Sequence, residues 1–340
     1  MKTSDFHYPL PEEYIAQKPV TPRDASRLMV YRRDTGAVSH RRFFELPDLL
    51  RQEDLLVMNT TRVIPARLYA KKVPTGGRVE ILLLDQKEER IWEVMVGGKG
   101  LRRGITVQLA EGPVGKIRKV LEGPMRLIQF QEPIQAYLED KGHVPLPPYI
   151  KEGLDDPEKY QTVYAEELGS SAAPTAGLHF TEELLERIRA KGIGIADVTL
   201  HIGLDTFAPV REQDPREHTI HTEWCRLSVD SAQKINAARA AGGRIISVGT
   251  TTARTLETAA RDSSPPPGLQ GFQGQTDLFI LPGFKFQALD CLLTNFHLPE
   301  STLLMMVSAF TGRETILQLY ETAKAEGYRF YSFGDAMLLM

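Results

Sequence analysis

Two hydrophobic textures alternate along the chain. From about residue 66 to about residue 131, short apolar runs rich in β-branched residues are separated by turn pairs such as Gly76-Gly77 and Gly97-Gly98. The runs at 78–84, 91–96, 105–109 and 126–130 have no long helical period between them. Evenly spaced short strands of this kind predict a small antiparallel barrel or sandwich.

Outside that region the pattern reads strand, loop, helix. Thr181 suits a helix N-cap, with Glu182 and Glu183 in the first turn and Phe180 placed to staple onto Leu185. That helix stops at Gly192. A strand is predicted at 195–200, a helix at 232–241 opened by Ser231, and a strand at 244–248. A helix at about 253–260, a strand at 289–293, a helix from Thr302 and a strand at 328–333 complete the series. The alternation predicts an α/β body with a mainly parallel sheet, or a barrel-like arrangement, covered by helices. Residues 1–64 and 146–340 would form this body, and residues 65–145 an inserted small antiparallel β-barrel domain. The crossings fall at the prolines of Ile64-Pro65 and Pro145-Leu146-Pro147-Pro148, and residues 262–275 read as a surface loop.

Composition changes this picture little. With 340 residues, 42% of them apolar and 25% charged, the chain is of ordinary globular type. A formal net charge of −3 argues against wholesale coating of nucleic acid. It leaves local basic clusters at Arg32-Arg33, Arg41-Arg42, Lys71-Lys72, Lys99 with Arg102-Arg103, and Lys116 with Arg118-Lys119. Two cysteines, Cys225 and Cys291, are too few for three-cysteine iron–sulfur or four-cysteine zinc sites, and fit reduced core thiols. The start of the chain has no apolar signal core, and the run Leu303 to Phe310 is too short to span a bilayer. A soluble, cytoplasmic protein is expected.

In parallel α/β architectures the turns after the strand C-termini share one rim, where ligands bind. Those turns carry Asn59, Thr60, Thr61 and Arg62; His201, Gly203, Asp205 and Thr206; Gly249, Thr250, Thr251, Thr252 and Arg254; Thr294, Asn295 and His297; and Gly334 with Asp335. Hydroxyls, amides, imidazoles and one or two cations suit a polar, hydroxylated ligand. Gly249 to Thr252 before a helix fits an anion site or a hydroxyl cap, and is neither a P-loop nor a dinucleotide fingerprint.

The small-residue run 170–178 ends at His179 and Phe180. It permits close backbone approach and stacking of Phe180 on a base, or else a tight loop capped by His179. His218, His221 and Glu223 have the look of zinc ligands, but Ile220 and Trp224 suggest an extended segment, so polar ligand contacts are favoured and no metal is expected. His297 is a catalytic candidate or a buried, hydrogen-bonded imidazole. His7, His40 and His143 read as structural or solvated. A serine hydrolase is disfavoured, since no Gly-x-Ser-x-Gly elbow exists.

Long motifs then carry a resemblance. They are residues 5–11 (DFHYPLP), 59–67 (NTTRVIPAR), 160–164 (YQTVY), 173–181 (APTAGLHFT), Thr199-Leu200-His201, and His218 with His221 and Glu223. Gly249-Thr250-Thr251, residues 294–299 (TNFHLP) and residues 331–337 (YSFGDAM) complete them. Over nearly its whole length the chain resembles the S-adenosylmethionine:tRNA ribosyltransferase-isomerases of queuosine biosynthesis. Asp205 stands where a glycine is expected, and Ala253 where valine is commoner.

The resemblance implies that S-adenosylmethionine is consumed as a ribosyl donor, with no true cofactor. The acceptor it implies is 7-aminomethyl-7-deazaguanine at the tRNA wobble position. The implied products are epoxyqueuosine in tRNA, methionine and adenine. An imidazole suits the base such a reaction needs, with His179 or His201 first and His297 third. Substrate contacts are expected from Asn59, Thr60, Arg62, Thr175, Phe180, Thr206, His218, His221, Glu223, Thr250, Thr251, Thr252, Arg254, Asn295 and Asp335. Lys71, Lys72, Lys99, Arg102 and Arg103 of the insertion are expected to grip tRNA, with the protein acting as a monomer away from membranes. Competing readings are a metal-dependent hydrolase using His218 and His221, and a noncatalytic RNA-binding module.

Overall fold

The structure, a computed structural model, describes residues 1–203, 210–262 and 268–340. The chain divides into two units. The larger comprises Met1–Arg62, Pro147–Glu167 and Ala173–Met340, and the smaller Val63–Leu146 with Leu168–Ala172.

A nine-stranded sheet runs through the larger unit. In spatial order its strands are Phe272–Thr276, Glu223–Leu227, Gly194–Leu200, Leu55–Asn59, Ile245–Val248, Cys291–Asn295, Ala336–Leu339, Arg27–Tyr31 and Val38–Arg42. The four from Gly194–Leu200 to Cys291–Asn295 are mutually parallel. Three of them, Leu55–Asn59, Ile245–Val248 and Cys291–Asn295, are buried along their whole length, as continuous apolar runs covered on both faces must be. Antiparallel pairings flank them on either side. The α/β body is therefore an open mixed sheet with a parallel centre.

Helices cover that centre for local reasons. Thr181 Oγ1 accepts from the Leu184 N–H at 3.1 Å and opens the helix Glu182–Ala190, whose Leu184, Leu185 and Ile188 pack with Phe43, Phe180 and Ile246. Ser228, three residues before the expected cap, opens Val229–Ala240. The helix after Ile245–Val248 begins at Thr250, directly at the strand end, and runs to Asp262. Thr302–Thr311 is apolar on nearly all sides because the sheet and the helix Arg313–Ala325 both cover it. Gly312, at φ 99°, makes the break between those two helices.

The strand expected at 328–333 is not formed. Phe330 makes a single bridge to Ile15, and Tyr331 turns the chain out of the extended region at φ 70°. The aromatic side chains there are apolar because Tyr328, Phe330 and Tyr331 pack into one core cluster with Phe296 and Tyr320. The true strand is Ala336–Leu339, which pairs antiparallel with Cys291–Asn295, placing Ala336 opposite Asn295.

The smaller unit holds a closed antiparallel barrel of six strands. Its order is Met125–Phe130, Ile91–Gly97, Arg78–Glu88, Arg67–Val73, Thr106–Leu109 and Val114–Val120. Alternation sends Ile81, Leu83, Val94, Val107, Leu109, Ile117 and Ile128 inward, with Leu82 buried as well, and closure leaves no open sheet edge. Both cysteines are free and buried. Among the described residues no helix is long and apolar enough to cross a membrane.

Candidate functional site

Three of the four central parallel strands end at one cleft in the larger unit. Ile202 follows Gly194–Leu200, Gly249, Thr250 and Thr251 follow Ile245–Val248, and Thr294, Asn295 and His297 close Cys291–Asn295. The short turn Thr175–His179 adds Thr175 and Ala176, and the hollow, which opens to solvent, spans about 370 Å³. An adjoining hollow of about 330 Å³ shares Thr175, Asn295, His297 and Leu303 and extends over Tyr149, Ser301, Tyr331 and Ser332. None of the described lining residues has an acidic side chain, a lysine or an arginine. The lining is hydroxyls, one amide, one imidazole, aromatic rings, aliphatic side chains such as Ile202, Leu298 and Leu303, and backbone.

Asn295 organises this wall. Its Oδ1 accepts from Thr175 Oγ1 at 3.2 Å, and its Nδ2 donates to the Tyr331 carbonyl at 3.2 Å and to His179 Nε2 at 3.1 Å. A carbonyl can only accept, so the amide orientation is fixed. His179 Nε2 is therefore the acceptor, and its Nδ1–H donates to Ser26 Oγ at 2.8 Å. The ring stacks on Phe43 at 4.9 Å. Burial first, then the Arg329 and Arg23 cations, pulls the His179 pKa down to about 3, so the imidazole is neutral at pH 7. Both nitrogens are engaged by protein, and the residue stands behind Asn295.

His297 is held differently. Its ring nitrogen Nε2 meets Thr294 Oγ1 at 2.7 Å, and Nδ1 has no partner among the described residues. Two buried tyrosines clamp its backbone: the His297 N–H donates to Tyr320 Oη at 2.9 Å, and Tyr8 Oη–H donates to the His297 carbonyl. The two tyrosine rings meet edge to face at 5.2 Å. Burial draws the His297 pKa to about 3, again leaving a neutral imidazole. Across the hollow, Tyr331 holds a left-handed backbone that bulky residues rarely adopt. Its carbonyl is pinned by Asn295 and its ring lies 4.7 Å from Tyr149.

The family model for queuosine biosynthesis proteins matches residues 3–339. The chain belongs to this family. Curated relatives named S-adenosylmethionine:tRNA ribosyltransferase-isomerase are 51% identical in Desulfitobacterium hafniense, 52% in Symbiobacterium thermophilum and 50% in Moorella thermoacetica, each alignment covering all of both chains. A crystal structure of S-adenosylmethionine tRNA ribosyltransferase from Thermotoga maritima is 39% identical, with a TM-score of 0.58, over 99% of this chain and 100% of that one.

In this queuosine-family chain, several residues expected to touch substrate are occupied elsewhere. Asn59 uses its whole amide, accepting from the Thr61 and Leu200 N–H groups and donating to the Leu200 carbonyl and Thr251 Oγ1. It ties the rim together from beneath. Thr60 and Thr252 donate to the carbonyls of Val198 and Val248. His201 stacks on Trp224 at 5.0 Å with Nδ1 2.8 Å from Thr61 Oγ1, its pKa lowered by burial, and it does not line the cleft. Phe180 is 0% exposed against Phe43 and Tyr164, so it cannot stack on a base. Arg62 pairs with Glu158 at 2.5 Å.

His218, His221 and Glu223 do not converge on one ion. His218 Nδ1 meets Glu212 at 2.8 Å, whereas Glu223 pairs with Arg254 and accepts from the Gly203 N–H at 2.8 Å. His221 is exposed. No group of three or more His, Cys, Asp or Glu among the described residues is placed to hold a metal ion. Asp335 is buried, with its carboxylate accepting from the Arg27 and Arg329 N–H groups at 2.9 and 2.8 Å, so it ties the start of Arg27–Tyr31 to the segment around Arg329. Asp205 and Thr206 lie outside the described residues.

Tyr149, Ser301, Tyr331, Ser332, Ile202 and Leu303 also line the two hollows, and none of them stands out in the sequence as a site residue. A left-handed tyrosine leaves no mark in a hydrophobic pattern, although the motif 331–337 contains two of the six. In the smaller unit, Lys71, Lys99, Arg102 and Arg103 are exposed, and Lys72 Nζ donates to the Lys99 carbonyl at 2.8 Å. Residues 63–146 carry 14 Lys and Arg against 10 Asp and Glu, in a chain whose net charge is −3. Positive charge is therefore concentrated in the insertion.

Proposed function

We propose that this cleft is where the family's reaction takes place. The ribosyl moiety of S-adenosylmethionine is transferred and isomerised onto 7-aminomethyl-7-deazaguanine at the tRNA wobble position, giving epoxyqueuosine-tRNA, methionine and adenine. The observation that carries the reading is the convergence of three parallel-strand ends on a cleft without charged lining among the described residues that presents one neutral imidazole, His297. Ligands of open α/β sheets bind at such strand ends.

The chemistry divides among few groups. The sulfonium acidifies the adjacent ribose carbon, and loss of that proton starts ring opening with departure of adenine. The substrate amine then adds, and alkoxide attack closes the epoxide as methionine leaves. His297 lines the cleft with a neutral ring and takes the role of base, a role His179 cannot fill with both nitrogens engaged. Asn295 and Thr175 contact the sugar hydroxyls. Tyr149 and Tyr331 offer ring faces to the cationic donor. Lys71, Lys72, Lys99, Arg102 and Arg103 hold the tRNA backbone.

Incubation with S-adenosylmethionine and tRNA carrying the deazaguanine precursor should release one adenine per modified tRNA. Absence of adenine, with both substrates intact, overturns the reading.

A further inference from the structure

The cleft must hold an amino acid carboxylate if it holds S-adenosylmethionine, yet among the described residues no lysine or arginine lines it. Arg254, the nearest cation in sequence to the Thr250 turn, does not line the cleft: it pairs with Glu223, its Nε donates to the Leu278 carbonyl at 3.1 Å, and its remaining Nη2 is buried. What does face the cleft is the start of the 13-residue helix Thr250–Asp262. The N–H groups of a first turn have no carbonyl within the helix to bond, and the helix end carries partial positive charge.

A second observation is independent of the helix. Three threonines open it, and two have their hydroxyls engaged: Thr251 Oγ1 accepts from Asn59 Nδ2 at 3.1 Å, and Thr252 Oγ1 donates to the Val248 carbonyl at 2.8 Å. Thr250 is only 7% exposed, lines the cleft, and its hydroxyl has no partner among the described residues. The side chain is largely buried and its hydroxyl borders the cleft without a protein partner, so that oxygen is left available to a ligand. Asn59 fixes the turn from below through Thr251, and Gly249, at φ 89°, lets the backbone enter the helix there with its N–H on the Leu293 carbonyl at 2.8 Å.

We infer that Thr250 Oγ1 and the first-turn N–H groups of this helix form the subsite for the α-carboxylate of the methionine half of the donor. The assignment rests on the proposed reaction. It makes the helix end the charge complement of the donor's only anionic group, and it makes Thr250 a determinant of donor specificity. A tRNA phosphate shares the same anionic oxygen chemistry and is the other source the experiment must separate.

The test compares Thr250→Val and Thr250→Ser with wild type, using S-adenosylmethionine and its decarboxylated analogue as donors and adenine release as readout. Loss of a hydrogen bond to a charged group predicts a KM for S-adenosylmethionine raised about tenfold in Thr250→Val. The KM for the decarboxylated donor should stay unchanged, and Thr250→Ser should restore the wild-type value. An equal rise for both donors, or a rise confined to the KM for tRNA, overturns the carboxylate assignment. A wild-type enzyme that releases no adenine from S-adenosylmethionine overturns the reaction itself, and this subsite with it.

Discussion

Asn295 Nδ2 lies 3.1 Å from His179 Nε2, and that single bond connects an imidazole outside the cleft to the amide that faces into it. The neutral ring has one accepting and one donating nitrogen, and the bonds to Asn295 and Ser26 use both. His179 thus acts by positioning. It prevents the amide from rotating, and the amide in turn orients Thr175 and the strained Tyr331.

Asn295→Ala should leave His179 Nε2, the Tyr331 carbonyl and the Thr175 hydroxyl without their partner. The expected loss is about 2 kcal/mol of stability, from buried polar groups left unpaired, read by urea unfolding. Adenine release should fall with it. A variant of wild-type stability and rate would show that Asn295 has no organising role.

His297→Gln and His179→Gln separate the two imidazoles. Replacing His297, the proposed base, should lower kcat by about 10²- to 10⁴-fold with little change in tRNA affinity. The His179 variant should retain measurable turnover, because its effect passes through Asn295. Full kcat in the His297 variant removes it as the base.

Tyr320→Phe and Tyr8→Phe each release one side of the His297 backbone clamp. Each should cost about 1 kcal/mol of stability, the usual net value of one hydrogen bond. The kcat should drop more than the KM changes, since the reacting nitrogen is displaced while the binding wall stays. A pure rise in KM would speak against the clamp.

Both buried histidines stay neutral in the folded protein down to about pH 3, whereas in the unfolded chain they protonate near 6.5. Unfolding therefore takes up protons below pH 6.5, and the stability these groups contribute is present above that pH and lost as pH falls towards 3. Between about pH 6 and 4, His179→Gln should flatten the fall of unfolding free energy by about 1.4 kcal/mol per pH unit. An unchanged slope would mean that His179 is charged in the folded state.

Changing Lys99, Arg102 and Arg103 together to Ala should weaken tRNA binding and reduce the slope of log K against log salt by roughly one for each phosphate that is no longer neutralised. An unaltered slope would place the tRNA-gripping surface elsewhere.

Much of this architecture was legible in the chain because local and global preferences agree. Apolar runs at Leu55 to Met58 and Leu289 to Leu293 are continuous, as buried parallel strands are, and each hands over to polar residues at the rim. Thr181 caps the helix its sequence announces. The failures share one cause, long-range contact. Residues 328–333 are apolar through core packing without pleating, and Ala336–Leu339 joins the sheet from the far end of the sequence. Whether Asn59, His179 or Asp335 faces ligand or backbone depends on partners such as Leu200, Ser26 and Arg27, which no spacing rule brings together.

The placement of Ala336–Leu339 sets the order in which the body can be assembled. The hairpin of Arg27–Tyr31 and Val38–Arg42 meets the rest of the sheet only through those four late residues. That hairpin cannot dock until Ala336–Leu339 is in place beside Cys291–Asn295, so its addition to the sheet is a long-range event and correspondingly slow.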